Sequence, residues 1–100
     1  MICMNMEMKM NSEEMQITLK KKFSSMTLPV IHYGYDFDKL YALLPLKDWK
    51  KILDYFDSNG EAKIHTKLFE WAYDGTAKFD SITRDYYGNF ALQVSVSLEK

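Results

Sequence analysis

The chain has 100 residues, 47% of them hydrophobic and 27% charged, which fits one globular domain and leaves no apolar run long enough to cross a bilayer. Thirteen Lys and Arg stand against 14 Asp and Glu, for a net charge of −1, so no global field recruits nucleic acid or acidic lipid. Cys3 is the only cysteine, which excludes an intrachain disulfide and a cysteine-based zinc site and fits a reducing, cytoplasmic setting.

Residues 1–13 are rich in methionine and lack the basic-then-apolar order of a signal peptide, so they are expected to form a disordered tail ahead of a single domain over residues 14–100. Met15, Ile17 and Leu19 alternate with Gln16, Thr18 and Lys20, the period of a half-buried strand running to about Phe23. A helix starting from Asn11 or Ser12, with Glu13 and Glu14 in its first turn, is the competing reading. Ser24, Ser25, Met26 and Thr27 read as a turn, and residues 28–35 as a short extended segment that Pro29 restricts to an edge or a strand start.

Three short helices are expected next. Phe37, Leu40, Tyr41 and Leu44 fall at i, i+3, i+4 and i+7 behind Asp36 as cap, and Pro45 stops the run. Trp49, Ile52, Leu53 and Phe56 repeat the spacing opposite Lys47, Asp48, Lys50, Lys51 and Asp54. Ser58 to Glu61 has the form of a capping box, so a third helix is expected from about Asn59, with Ile64, Leu68, Trp71 and Ala72 as its stripe and Asp74-Gly75 as its stop.

The end of the chain is the most regular. Phe90, Leu92, Val94, Val96 and Leu98 alternate with Ala91, Gln93, Ser95, Ser97 and Glu99, and residues 76–83 supply an antiparallel partner across a loop of about six residues, Arg84 to Asn89. The expected fold class is therefore α+β: a two- to four-stranded antiparallel sheet ending in a C-terminal hairpin, packed on three short helices. The inward periods nominate Leu40, Leu44, Trp49, Ile52, Leu53, Phe56, Ile64, Leu68, Trp71, Leu92, Val94 and Val96 as core. The outer edge of the last strand is open to pairing across a two-fold axis, and the oligomeric state is otherwise open.

Groups for catalysis are scarce. His32 and His65 are the only imidazoles and neither has metal-ligand spacing, so His65 reads as a core or boundary residue and His32 as packing among Tyr33 and Tyr35, with a binding loop as the alternative. The carboxylates Asp54, Asp57 and Glu61 resemble a calcium loop only until Gly60 is aligned, when Tyr55 and Thr66 occupy positions that need carboxylates. There is no glycine-rich phosphate loop and no serine elbow. No enzyme activity, catalytic residue, metal or cofactor is expected.

Aromatic residues make up 15% of the chain, and Tyr86-Tyr87 at the hairpin tip has no core face to join. Loop tyrosines give large contact area at low entropic cost and are enriched at protein interfaces. Arg84, Asp85, Tyr86, Tyr87 and Asn89 are therefore the candidate protein-binding residues, and the expected role is a small protein-binding module. In size and composition the chain resembles the small proteins of phages and mobile elements that inhibit host enzymes or defence complexes, such as anti-CRISPR proteins, or immunity proteins that block toxins. The alternative is a winged-helix DNA-binding regulator, with Lys63, Thr66, Lys67 and Glu70 on a recognition helix and the Arg84 to Asn89 loop as wing. Arg84 is the only arginine and Lys20 to Lys22 the only basic run, which disfavours phosphate and guanine recognition.

Overall fold

A computed structural model of the protein describes residues 15–37, 39–68 and 71–99; the tail expected over residues 1–13 lies outside them. The described residues form seven strands, β1 (Gln16–Lys21), β2 (Ser24–Pro29), β3 (His32–Asp36), β4 (Lys39–Pro45), β5 (Glu61–Leu68), β6 (Trp71–Arg84) and β7 (Phe90–Leu98), with one short helix, α1 (Trp49–Leu53), between β4 and β5. All pairings are antiparallel, in one sheet of order β2-β1-β5-β6-β7-β4-β3. The fold is mostly β, and the expected α+β packing on three helices is overturned.

The two edge strands are consecutive in the chain, so the sheet curls on itself. Val30 N–H donates to Met15 O at 3.2 Å, continuing the pairing with β1, and the next residue, Ile31, donates to Leu43 O of β4 at 2.8 Å. One strand thus leaves one edge of the sheet and joins the other within two residues, a corner that gives the molecule its barrel-like core. Met15, Ile17 and Leu19 of β1, Leu40, Ala42 and Leu44 of β4, Ala62 and Ile64 of β5, Ala77 of β6, and Leu92, Val94 and Val96 of β7 face inward and are buried. Helix α1 lies at the end of the sheet where β4 finishes and β5 begins: Ile52 is fully buried in the same core, Leu53, Tyr55 and Phe56 pack against it, and Phe56 meets Phe79 edge-on at 6.5 Å. Lys21 donates to Asp54 O at 3.0 Å, which ties the end of α1 to the β1–β2 turn.

The first expected helix is β4 and the third is β5. A spacing of four satisfies both periods, so Leu40 and Leu44 share a face of a strand as well as of a helix, with Ala42 between them on that face and Tyr41 pointing the other way. Asp36 ends β3 opposite Lys39 and caps no helix. In β5, Ala62, Ile64 and Thr66 alternate inward. Thr66 is the polar member, fully buried because its hydroxyl donates to Gln16 O at 2.9 Å. Asp74-Gly75, expected as a helix stop, lies inside β6, where Gly75 sits opposite Leu98.

The helix expected from Trp49 to Phe56 exists in a shorter form. Of its stripe only Ile52 is fully buried, and Trp49 stays 43% exposed with Lys50 Nζ 5.6 Å from its ring centre. Trp71 (66%), nominated as core, is likewise exposed, as are Phe37 (98%) and Phe90 (56%), which share the apolar periods of the first expected helix and the last strand. Ser24 to Thr27 is strand β2 rather than a turn, while Pro29 does sit on an edge strand. The last strand is internal, paired with β6 and β4, so among the described residues the edge strands are β2 and β3.

Candidate functional site

The β6–β7 tip is a five-residue connection, Asp85 to Asn89, between the paired Arg84 and Phe90. Asp85 N–H donates to Asn89 O at 2.7 Å and Gly88 N–H to Asp85 O at 3.0 Å, while the Asp85 carboxylate accepts from the N–H groups of Tyr87 and Asn89, each at 2.9 Å. Gly88 takes φ 86°, the left-handed step that such loops place after a type I turn and that glycine adopts without strain. The backbone is thereby pinned, and the two tyrosines project from it, Tyr86 94% and Tyr87 83% exposed, their rings edge to face at 5.4 Å.

The same device occurs ahead of β5. Asp57 N–H donates to Glu61 O at 2.8 Å, Gly60 N–H to Asp57 O at 2.9 Å, the Asp57 carboxylate accepts from Asn59 at 2.8 Å and Glu61 at 3.1 Å, and Gly60 takes φ 78°. Asp-x-x-Gly-x is therefore the turn motif in both places. It explains why Ser58 and Glu61 do not form the expected capping box: Asp57 provides the acceptor and the chain leaves the turn as a strand. The positions held by Tyr86 and Tyr87 are held by Ser58 and Asn59 in the other turn, so the motif itself makes no demand for aromatic residues.

Beside the tip lies a cleft of about 510 Å³. Thr83, Arg84, Asp85 and Tyr86 line one side, and His32, Tyr35, Tyr41, Leu43 and Gln93 line the rest. Leu43 belongs to the outward side of β4 yet is only 5% exposed, beneath the cleft rather than in the central core. Gly34 lies opposite Tyr41, whose ring occupies the room a side chain would take: a Cβ on Gly34 would be 3.0 Å from the Tyr41 hydroxyl. The Tyr41 hydroxyl is 3.4 Å from His32 Nε2, with the two rings 6.0 Å apart. Arg84 is the last residue of β6, and its guanidinium carbon lies 4.7 Å above the ring of Phe90, its cross-strand neighbour.

Of the five residues nominated from sequence, Arg84, Asp85 and Tyr86 line the cleft, while Tyr87 and Asn89 belong to the projecting loop. Asp85 and Asn89 also close the loop through their hydrogen bonds. Tyr41, Leu43 and Gln93 had no sequence signal, because the β3–β4 and β4–β7 pairings bring them, with His32, to the hairpin.

A second polar cluster covers the outer side of β1, β5 and β6. His65 Nδ1–H donates to Asp74 Oδ1 at 2.8 Å and Lys20 Nζ lies 3.8 Å from the same oxygen. The His65 hydrogen bond, aided by the Lys20 charge, holds the Asp74 carboxyl below its ordinary pKa. All three side chains are substantially exposed, by 41–66%. Among the described residues no three His, Cys, Asp or Glu side chains are grouped as a metal site requires. The recognition helix of the winged-helix alternative is absent, since Lys63, Thr66 and Lys67 are on β5 and Thr66 is buried. No helix among the described residues is long and apolar enough to cross a membrane. Compared with protein-family models, with curated proteins and with solved structures, the chain matches none.

Proposed function

We propose that the protein is a protein-binding module that engages its partner through the β6–β7 tip and the adjoining cleft. The observation that carries this reading is the pair of identical turns. One carries Ser58-Asn59 at its centre and the other Tyr86-Tyr87, so the turn itself does not require the exposed tyrosines. Two exposed aromatic rings on a pinned backbone offer contact area with little left to order on binding. Inhibition of a host enzyme or defence complex, or neutralisation of a toxin, suits a projecting finger of this kind, which can occlude a pocket on its target.

The test is affinity capture from the native cell, with and without nuclease, using the wild-type chain beside a variant carrying Tyr86→Ser and Tyr87→Asn. That variant copies the sequence of the other turn, so it is expected to fold normally. Nuclease-resistant capture of a protein, weakened by at least about 1–2 kcal/mol in the variant, is the expected result. Capture that nuclease removes, or that the variant leaves unchanged, would refute the reading.

A further inference from the structure

We infer that the β1–β2 tip and helix α1 form a docking surface for an anionic lipid bilayer, with Phe23 entering among the headgroups. Two residues, Lys22 and Phe23, join β1 to β2 between the paired Lys21 and Ser24. So tight a hairpin turn favours glycine or Asn-Gly, because its backbone enters the left-handed region. Lys22 holds φ 36° without being glycine, and Phe23 beside it is fully exposed. The turn is thus strained to carry a cation and an apolar ring that the fold does not use.

Charge selects the occupant. The bond from Lys21 Nζ to Asp54 O sets the end of α1 beside this tip, and α1 brings Lys50 and Lys51, with Lys47 just ahead of it, all exposed. Lys20 and Lys21 lie near Asp74 and Asp54, whereas Lys22, Lys47, Lys50 and Lys51 make no ion pair with a described residue. Against these four stand the neighbouring carboxylates Asp48 and Asp57, so this end is locally cationic although the whole chain is not. Trp49, half-exposed, lies among the lysines. Protein interfaces are depleted in lysine and enriched in arginine, and phosphate and guanine recognition favours the arginine fork. The β1–β2 tip and α1 contain no arginine. Hydrated point charges on flexible stems around exposed aromatic rings suit a diffuse anionic surface that the rings can enter. Binding of this kind is weak and reversible. None of these residues lines the cleft or belongs to the β6–β7 tip, so the inference does not rest on the protein-binding reading.

Co-sedimentation of the full chain with vesicles tests this, using phosphatidylcholine alone and phosphatidylcholine with about one-quarter phosphatidylserine. The wild type should bind the phosphatidylserine vesicles, not the neutral ones, and should be released as salt rises. Phe23→Ser should weaken binding at least about fivefold, and so should Lys50→Gln with Lys51→Gln. Lys22→Gly is the sharper variant. It relieves the turn, so it should melt at or above the wild-type temperature while binding about fivefold less tightly, an outcome that loss of folding could not produce. A wild type that binds neither vesicle or both equally, or a Phe23→Ser or Lys22→Gly variant that binds like the wild type, would overturn the inference. Retention on single-stranded DNA in place of the vesicles, or binding lost in the Tyr86→Ser/Tyr87→Asn variant alone, would overturn it too.

Discussion

Gly75 offers a sharp test of how closely β6 and β7 approach. A Cβ built on it would stand 3.0 Å from Leu98 Cα and 3.1 Å from the Ser97 carbonyl carbon, with the Ser97 oxygen closer still. All three are backbone atoms of the neighbouring strand, so no side chain can swing aside and the strands themselves must separate. Overpacking of this kind costs about 1–3 kcal/mol. Separation also breaks one or two ladder hydrogen bonds at about 0.5–1.5 kcal/mol each. Alanine recovers about 0.5–1 kcal/mol through its lower backbone entropy in the unfolded chain. Gly75→Ala should therefore destabilise the protein by about 3 kcal/mol, the middle of those ranges, a fall in Tm of roughly 12–24 °C for a domain of this size. Gly60→Ala is the control: nothing lies within 4 Å of its Cβ, and only the positive φ of 78° is unfavourable, at about 1–2 kcal/mol. Denaturant and thermal melts of both variants decide the matter. If Gly75→Ala melts with the wild type, or above Gly60→Ala, the close β6–β7 approach is wrong.

Two further outcomes are expected. Ile52→Ala should cost about 2–5 kcal/mol because the side chain is fully buried where α1 meets the sheet, while Trp49→Ala, on the same helix but 43% exposed, should cost clearly less; thermal melts in the opposite order would reverse the assignment of the buried face of α1. The lowered pKa of Asp74 adds stability that is present above the unfolded-state value near 3.8 and is lost as pH falls through the lower folded-state value. Asp74→Asn should therefore lower the neutral plateau of a stability-versus-pH curve and flatten its acid limb, the two proteins converging at low pH, and an unchanged acid limb would contradict the His65–Asp74 bond.

How far the fold could be read from sequence depended on which spacing each segment used. Leu92, Val94 and Val96 repeat every two residues over a long run, which only a strand satisfies, and all three are buried as expected. Leu40 with Leu44, and Ile64 with Leu68, are four apart, a spacing that helices and strands share. The residues that separate the two readings are Ala42, Ala62 and Thr66, too small or too polar to register as a face. Thr66 in particular could be placed inside only by knowing that Gln16 O waits there as its acceptor. The Asp-x-x-Gly-x turn before β5 begins like a helix start, since an acidic side chain accepting N–H groups serves both. At the candidate site, Tyr86 and Tyr87 were legible because their turn is local, whereas His32, Tyr41 and Leu43 reach the cleft through pairings that span much of the chain.

The crossing at Val30–Ile31 also bears on the order in which the molecule assembles. Four of the six strand pairings are local hairpins, and two, β1 with β5 and β4 with β7, join residues about fifty positions apart, such as Gln16 with Lys67 and Leu40 with Val96. Because Val30 and Ile31 couple the β1–β2 hairpin to the β3–β4 hairpin with no slack, docking of either onto the β5–β6–β7 meander carries the other to its place. The entropy of closing the second long loop is then largely spent in closing the first. Folding should accordingly be slow for a chain of this length, in the millisecond-to-second range of non-local β proteins, yet should pass through one concerted closure rather than two separate ones.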